Sequence, residues 1–504
     1  MNCFEKKIFC IVFSIFILST LWGCQKQPTD KIVTSKNDGV FDSSIIQTST
    51  QNQANSAPFS VKCKDEFSST DGSVEFTFNI DQEMMQKNNP VIEVVPHYLT
   101  SEDAKRVATV LLGNVDFFEQ EPLFAPNYSK AQIQERINRW SRYTNSEAIA
   151  ELYGNQADPT FIVEIVKGFI ENYTEQYAFA PDSSQRLCEW VLKKDAYYFD
   201  AIEDIAKQDI SDDNDAIKAV TKIGEVEYTF EVSTRDKSDF KINNIFLELY
   251  SGISPNDIDT RIYRSMLCRT QAPTDKDIDS VKVTAQEMLD KMDLGQWLVD
   301  ECSVQTTYYG DIPEYIINVN AVPVIGGIPA IRRPQLGNLK SNASYASNYY
   351  LTDANFQFSV NGDLVGFRMY SPIDVADVLN GNVVTMSIDE LMERAKSHLK
   401  LSDHYQYGMG TDYLETLQEV EGEDFICNID ISKMEYGMLR VKVPDTDTSY
   451  YYVPGIILSG SIDYVGKNTG TLYAASGETF YSERVVPLVA LNAVDGSIIE
   501  LYIN

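Results

Sequence analysis

Three histidines, His97, His398 and His404, are all the imidazole this 504-residue chain has for general-base or metal chemistry. His398 and His404 stand six apart, so on one helix they would not share a face, and no His-Glu-x-x-His occurs. They read as exposed or capping residues. A serine nucleophile would need a Gly-x-Ser-x-Gly elbow, or a Ser-x-x-Lys with its Lys-Thr-Gly and Ser-Asp-Asn partners. Ser238 to Lys241 and Ser397 to Lys400 have the second spacing without either partner. Gly408-Met409-Gly410 is followed by Tyr413 where a dinucleotide fingerprint needs glycine. Asp212, Asp213, Asn214 and Asp215 offer calcium ligands without the spacing or glycine of an EF-hand loop, and read as a solvated acidic turn. No metal and no cofactor is expected.

Two devices remain. With 74 acidic residues, any two carboxylates brought together by the fold could form a glycosidase-type pair, and spacing alone singles out none. The second is Ala321 to Pro334, where Pro323, Gly326, Gly327, Pro329 and Pro334 punctuate branched apolar residues and precede or flank Arg332 and Arg333. Prolines argue against a regular central strand, so an ordered loop or an interdomain crossing is expected, with Arg332 and Arg333 as candidate binding cations in an acidic protein. Cys63, Cys188, Cys268, Cys302 and Cys427 are too widely spaced for C-x-x-C zinc or redox motifs, and five cannot all pair internally. Cys268 and Cys302 are the nearest candidates for a bridge.

The residue with the most definite chemistry is Cys24. Lys6 and Lys7 precede an apolar run from Ile8 to Trp22, about fifteen residues. At ~1.5 Å per residue such a helix falls short of the ~30 Å hydrocarbon core. The run ends in Leu21-Trp22-Gly23-Cys24. This is similar to a bacterial lipobox, whose cysteine receives lipid before cleavage; Trp22 stands where Ala or Ser is usual. Residues 1–23 are thus expected to be a lipoprotein signal peptide, with the mature chain held at the outer face of the cell membrane through lipid on Cys24. Residues 24–57 are polar and read as a flexible tether of ~30 Å reach.

From Cys24 onward the chain carries 40 basic and 73 acidic side chains, a net charge of −33. Such a surface repels phosphate backbones, so no nucleic-acid partner is expected. About 445 residues past the tether exceed one ordinary core, and two domains are expected, a mixed α+β region over 58–339 and an antiparallel α+β domain over 340–504.

The elements follow from periodicity. Val74, Phe76, Phe78 and Ile80 alternate with polar residues as a half-buried strand, and Val91 to Val95 is a second. Thr100 with Asp103 opens a helix with capping-box spacing, continued by Ala104, Val107, Ala108 and Leu111 on one face. Further helices are expected from Ser129, from Asp158-Pro159 and from about Ser183 to Lys194, making 100–210 helix-rich. Strands return near 220–232 and 242–250, and capped helices are expected at Thr284 with Glu287 and at Ser387 with Glu390. Asn361-Gly362 and Asp495-Gly496 mark hairpin turns, between alternating strands that extend to the end of the chain. A fragment beginning near residue 340 is expected to unfold cooperatively.

The ending, with Tyr452-Val453-Pro454 in one strand and Leu491-Asn492-Ala493-Val494-Asp495-Gly496-Ser497 in the last hairpin, resembles uncharacterised lipoproteins of Gram-positive, clostridial-type gut bacteria. The order hairpin, helix, strands is also similar to PepSY-like domains and to membrane-tethered regulators of the cell-wall histidine kinase. That resemblance implies a non-catalytic binding or regulatory module whose partner is a membrane or cell-envelope protein. A cell-envelope hydrolase and a transporter's solute-binding lipoprotein are the alternatives, the latter disfavoured because hairpins dominate where parallel strands would be needed. Besides the arginine pair, sheet edges near Tyr450 to Tyr452 are expected to present contact surface.

Overall fold

The computed structural model describes residues 46–48, 59–70, 72, 74–84, 89–119, 129–154, 158–182, 187–194, 213–237, 240–249, 258–309, 312–332, 352–401, 418–419, 421–443, 449–470, 472–474 and 486–499. Cys24, Arg333, His404 and the 408–413 segment lie outside them. Along the chain come β1 (Phe59–Ser68), β2 (Val74–Met84), β3 (Val91–Pro96), α1 (Ser101–Leu112), β4 (Phe118–Glu119), α2 (Lys130–Trp140), α3 (Ser146–Tyr153) and α4 (Pro159–Tyr177). Then follow β5 (Lys193–Lys194), β6 (Asp213–Ile223), β7 (Val226–Lys237), β8 (Phe240–Leu249), α5 (Ile258–Cys268), α6 (Asp275–Met292), β9 (Trp297–Tyr309), β10 (Ile312–Ile325) and β11 (Ile328–Pro329). The last group is β12 (Asp353–Phe358), β13 (Leu364–Tyr370), β14 (Ile373–Asn380), α7 (Ile388–Leu401), β15 (Phe425–Lys442), β16 (Tyr450–Gly466), β17 (Leu472–Ala474), β18 (Val486–Asn492) and β19 (Ile498–Ile499). The fold class is α+β.

Strand alternation behaves as the pleat requires. Val74, Phe76, Phe78 and Ile80 are buried while Glu75, Thr77 and Asn79 face out. Their apolar face meets Leu391, Met392, Ala395 and Leu399 of α7, whose start is fixed by Ser387 and Glu390, each bonding the other's backbone amide. β16 is buried continuously from Tyr450 to Gly460, as a central strand paired on both sides should be. Tyr450, Tyr451 and Tyr452 are therefore interior, bonded between β15 and β3, which corrects the expectation of an exposed edge there.

The strands form two sheets, and each draws strands from both sides of residue 339/340. The first runs β1-β2-β15-β16-β18-β19, with β3 joining β14 and β16 and with β17 on β16. β2 and β15 pair in parallel; the other ladders of this sheet are antiparallel. The second runs β11-β10-β12-β13-β8-β7-β6-β4, with β5 on β6 and β9 on β10. The first sheet is thus built from both ends of the chain and the second from its middle. A cut at 340 would strip β12 and β13 from β10 and β8.

The chain leaves the first sheet after Pro96 and returns at Ile373, and those two residues pair directly. There the His97 amide donates to the Pro372 carbonyl at 2.8 Å. Asn243 of β8 stitches the crossings together: its Nδ2 donates to the His97 carbonyl at 2.6 Å and its own carbonyl accepts from the Ser371 amide at 2.7 Å.

Around the second sheet, α1 and α6 contribute Ala104, Val107, Ala108, Leu111, Val281, Ala285, Leu289 and Met292 to one core with Phe230, Phe356, Phe358 and Phe367. α2, α3 and α4 form a satellite cluster around Trp140. Capping boxes at Thr100 and Ser129 hold α1 and α2. The helix expected from Thr284 begins earlier, capped by Thr274 with Asp277, because that box offers the same chemistry just after Pro273. Thr284 is mid-helix and its hydroxyl donates to the Ser280 carbonyl.

Three further readings change. Residues 187–194 are not helical: Cys188, Trp190 and Leu192 pack on the core, Trp190 with a left-handed backbone at φ +54°, and Lys193–Lys194 form a short strand. Asp213 to Asp215 lie in β6 paired with β7, not in a turn. Pro323 lies within β10 opposite Trp297, where the β9 ladder begins, and its carbonyl accepts from the Ala330 amide at 2.9 Å. Gly326 and Gly327, at φ +60° and +81°, then turn the chain tightly into β11.

Ile46, Gln47 and Thr48, inside the expected tether, are also pinned. Thr48 bridges Val383, and the Gln47 carbonyl accepts from the Val384 amide at 2.8 Å. No helix among the described residues is long and apolar enough to cross a membrane.

Candidate functional site

Arg332 follows β11 where the second sheet touches the first: Ala330 bridges Met438 of β15, and the Ile331 amide donates to the Met438 carbonyl at 3.0 Å. Its Nη1 donates to Glu301 Oε2 at 2.7 Å, and its Nε stands 3.7 Å from Asp353 Oδ2. Burial pushes the Asp353 carboxyl up to about 6 against the pull of Arg332. Asp300, next to Glu301, is raised in the same direction by burial first and by Glu301 second. Arg332 is therefore the counter-ion of an acid cluster. Of the candidate pair, only Arg332 is among the described residues.

The histidines divide. His97 Nδ1 lies 2.9 Å from Asp374 Oδ1, and its Nε2 is 3.5 Å from Asp103 Oδ2. Asp103 is held at the start of α1 by Thr100 and Arg106. His97 thus ties α1 to β14 at the crossing between sheets. His398 sits half-buried on α7, where Ser397 and Lys400 also lie, and Lys400 rests over the Phe67 ring at 4.9 Å. Cys268 and Cys302 are both free thiols.

A denser polar constellation lies under the helical cluster, organised by α5. Asp259, fully buried, binds Arg136 Nη1 at 3.0 Å, faces Arg139 Nε at 3.2 Å and accepts from Trp140 Nε1 at 2.9 Å. Arg136 also reaches Glu227 on β7 at 2.8 Å. Two residues on, Arg261 forms a two-pronged pair with Glu314 of β10, donates from Nε to the Leu152 carbonyl at the end of α3, and stacks 3.4 Å from the Tyr309 ring centroid. Arg269 Nε also donates to Glu314, at 3.0 Å, and Arg264 Nε stands 3.5 Å from the same carboxylate. Glu314 is 1 % exposed, so one buried acid meets three arginines.

Sequence reasoning passed over this network. Its signal was there in the three-residue spacing of Arg136, Arg139 and Arg142 and of Arg261 and Arg264, which puts guanidinium groups on one face of a helix. The acids that complete it come from β7 and β10 and could not be assigned from spacing.

With fold and sites in hand, the class is an α+β protein of two interleaved sheets. No family model matches the chain, and no curated protein matches it. A solved structure of an uncharacterized protein from Eubacterium rectale is similar over 89 % of this chain and 97 % of that one, at 9 % identity and a TM-score of 0.28.

Proposed function

We propose that the chain is a membrane-anchored extracytoplasmic lipoprotein whose folded part is a non-catalytic binding or regulatory module. The observation that carries the anchoring is Cys24 at the end of the apolar run from Ile8 to Trp22. Anchorage through lipid on Cys24 would keep the fold close to its membrane neighbours and raise their effective concentration. The likeness of the last hairpin to clostridial-type lipoproteins and the similarity in element order to PepSY-like kinase regulators support the same reading. So does the treatment of the gathered acids: Glu301, Asp353, Asp259 and Glu314 are each engaged by arginine.

Replacing Cys24 with Ala should move the protein from the membrane fraction to the soluble one; a substituted chain that stays with the membrane rejects the anchor. Crosslinking and capture from membranes should identify a partner protein whose recovery falls in an Arg332→Ala/Arg333→Ala variant. A hydrolase is the second reading, favoured only by Asp353, whose carboxyl holds a proton up to about pH 6 beside Arg332, which also engages Glu301. Turnover of peptidoglycan or glycan by the purified chain, abolished in Asp353→Asn, would establish it in place of the binding module.

A further inference from the structure

The second sheet has two unlike faces. Along β7, β8, β12 and β13, Phe230, Leu247, Phe356 and Phe367 point into the core and are at most 1 % exposed. The alternate residues face the other way. Arg368 and Glu248 are exposed there, and Thr229, Glu231, Phe246, Asn355 and Gln357 are half-buried. The register aligns these side chains in rows that cross five strands. One row is Asn320, Asn355, Arg368, Phe246 and Glu231, from β10 to β7, and the next is Asn318, Gln357, Gly366, Glu248 and Thr229. At ~4.8 Å between strands each row is ~19 Å long, and the two rows lie ~7 Å apart. Both flanks are closed. Arg136 of α2 and Arg261 of α5 come down on Glu227 and Glu314 at one, and Arg332 spans Glu301 and Asp353 at the other, so the rows floor a shallow groove.

The groove is not composed as a surface built only for solubility. Asn and Gly are disfavoured in strands, yet Asn318, Asn320, Asn355 and Gly366 stand in interior strands. Asn355 Nδ2 donates to Asn320 Oδ1 at 2.8 Å, and Gln357 Nε2 to Asn318 Oδ1 at 3.3 Å. Each bond uses one donor of an amide that has two donors and a carbonyl. Gly366 keeps the floor low: a Cβ there would stand 3.1 Å from Gln357 Oε1 and 3.3 Å from the Leu247 carbonyl. Beside the amides, the Phe246 and Tyr370 rings meet edge to face at 5.6 Å. Charge is balanced, since Arg368 pairs with Glu248 at 2.7 Å, Lys218 with Glu231 at 3.9 Å and Arg332 with Glu301 at 2.7 Å. In a chain with 74 acidic against 42 basic side chains, a charge-matched face complements a neutral ligand.

We propose that this face binds an uncharged glycan chain laid along the rows, across β10, β12, β13, β8 and β7. Neighbouring hydroxyls of a sugar are donors and acceptors at once, and a planar amide, a guanidinium or a carboxylate can each meet two of them. The apolar C–H face of a sugar ring covers an aromatic ring, which Phe246 and Tyr370 supply. An extended peptide adds to a sheet through the backbone groups of an edge strand, whereas these five strands are paired on both sides. Side chains alone are on offer here, which suits a ligand recognised through its hydroxyls. The lipid anchor plays no part in this site.

The test is a calorimetric titration of the full chain, in a sugar-free detergent, with chitotetraose, cellotetraose, maltotetraose and mannotetraose, and with neutral, acidic and basic peptides of similar length. Saturable binding of at least one sugar is expected, with no loss when salt is raised, because the sugar forms no ion pair. Arg368→Ala, which breaks only an exposed ion pair, should melt as the wild type does and bind about tenfold more weakly, the loss of one charge-assisted hydrogen bond. Phe246→Leu, which keeps an apolar group in place of the ring, should weaken binding to a similar extent. Val375→Ser, at an exposed position of β14 in the first sheet, should bind as the wild type does. Failure of every sugar to bind saturably overturns the site, as does sugar binding that Arg368→Ala and Phe246→Leu both leave unchanged. Peptide binding lost in Arg368→Ala, with no sugar bound, assigns the face to a protein partner and overturns the glycan.

Discussion

Asp353 carries the clearest pH signature of any single residue described. Its folded-state carboxyl, pushed up to about 6 by burial, lies above the ordinary value near 4 that it regains on unfolding. The folded chain therefore holds this proton more tightly than the unfolded one. The stabilisation is complete below about pH 4 and is lost as pH rises through about 6, a change of about 3 kcal/mol for two units. Asp353→Asn, which stays neutral throughout, should show no such loss. Urea melts from pH 4 to 7 should find the wild type losing stability relative to the variant across this window, and parallel curves would remove Asp353 as the source. At this scale the sequence was only half legible. Arg332 stood out as a cation among prolines and glycines, but its partners lie on β9 and at the start of β12, so only the folded chain reveals that its charge is already engaged.

Among elements, α5 has the most demanding position, because it faces α2 with Asp259 and β10 with Arg261. Both contacts are buried ion pairs, which contribute little against an apolar replacement but are damaging to break on one side only. Glu314→Gln removes the charge that three arginines share and should cost about 3–5 kcal/mol in denaturant unfolding. A loss under about 1 kcal/mol would mean that solvent reaches these arginines readily. Elements with a local signature were readable: the caps at Thr100, Ser129, Asp158 and Ser387 and the Asn361-Gly362 and Asp495-Gly496 turns fall where residue chemistry puts them. The misplaced elements were those where two local rules compete. Thr284 has an acidic residue three positions on, yet Thr274 satisfies the same rule first. Cys188, Trp190 and Leu192 pack on the core of the second sheet, and the chain there joins β6 only at Lys193–Lys194, a contact that local spacing does not announce. Pro323 was tolerated because it faces the first residue of β9.

For the whole molecule, the decisive fact is that Pro96 and Ile373 are paired neighbours. Paired residues of antiparallel strands stand only ~5 Å apart, so everything between them leaves and re-enters the first sheet at one point. The second sheet, β4 to β13, is contained between these crossings, whereas the first needs β1 to β3 from one side and β14 to β19 from the other. This arrangement is hidden from a reading that proceeds along the chain, since no change of composition marks either crossing and strand partners can be hundreds of residues apart. It reverses the expectation for fragments. Residues 340–504 lack β2 and β3, which flank β15 and β16, and carry β12 and β13 without β10 and β8, so they should show no cooperative transition. Residues 98–371 retain the ten strands of the second sheet with α1 to α6 and should unfold cooperatively by themselves. That fragment should melt below the full chain, because Ile325, Ile328 and Ala330 pack on Ile92, Val94, Met438 and Tyr450 of the first sheet and would be bared to water. Calorimetry of the two fragments checks the assignment: a single sharp transition from 340–504, with none from 98–371, would restore the boundary near 340 and reject the insertion.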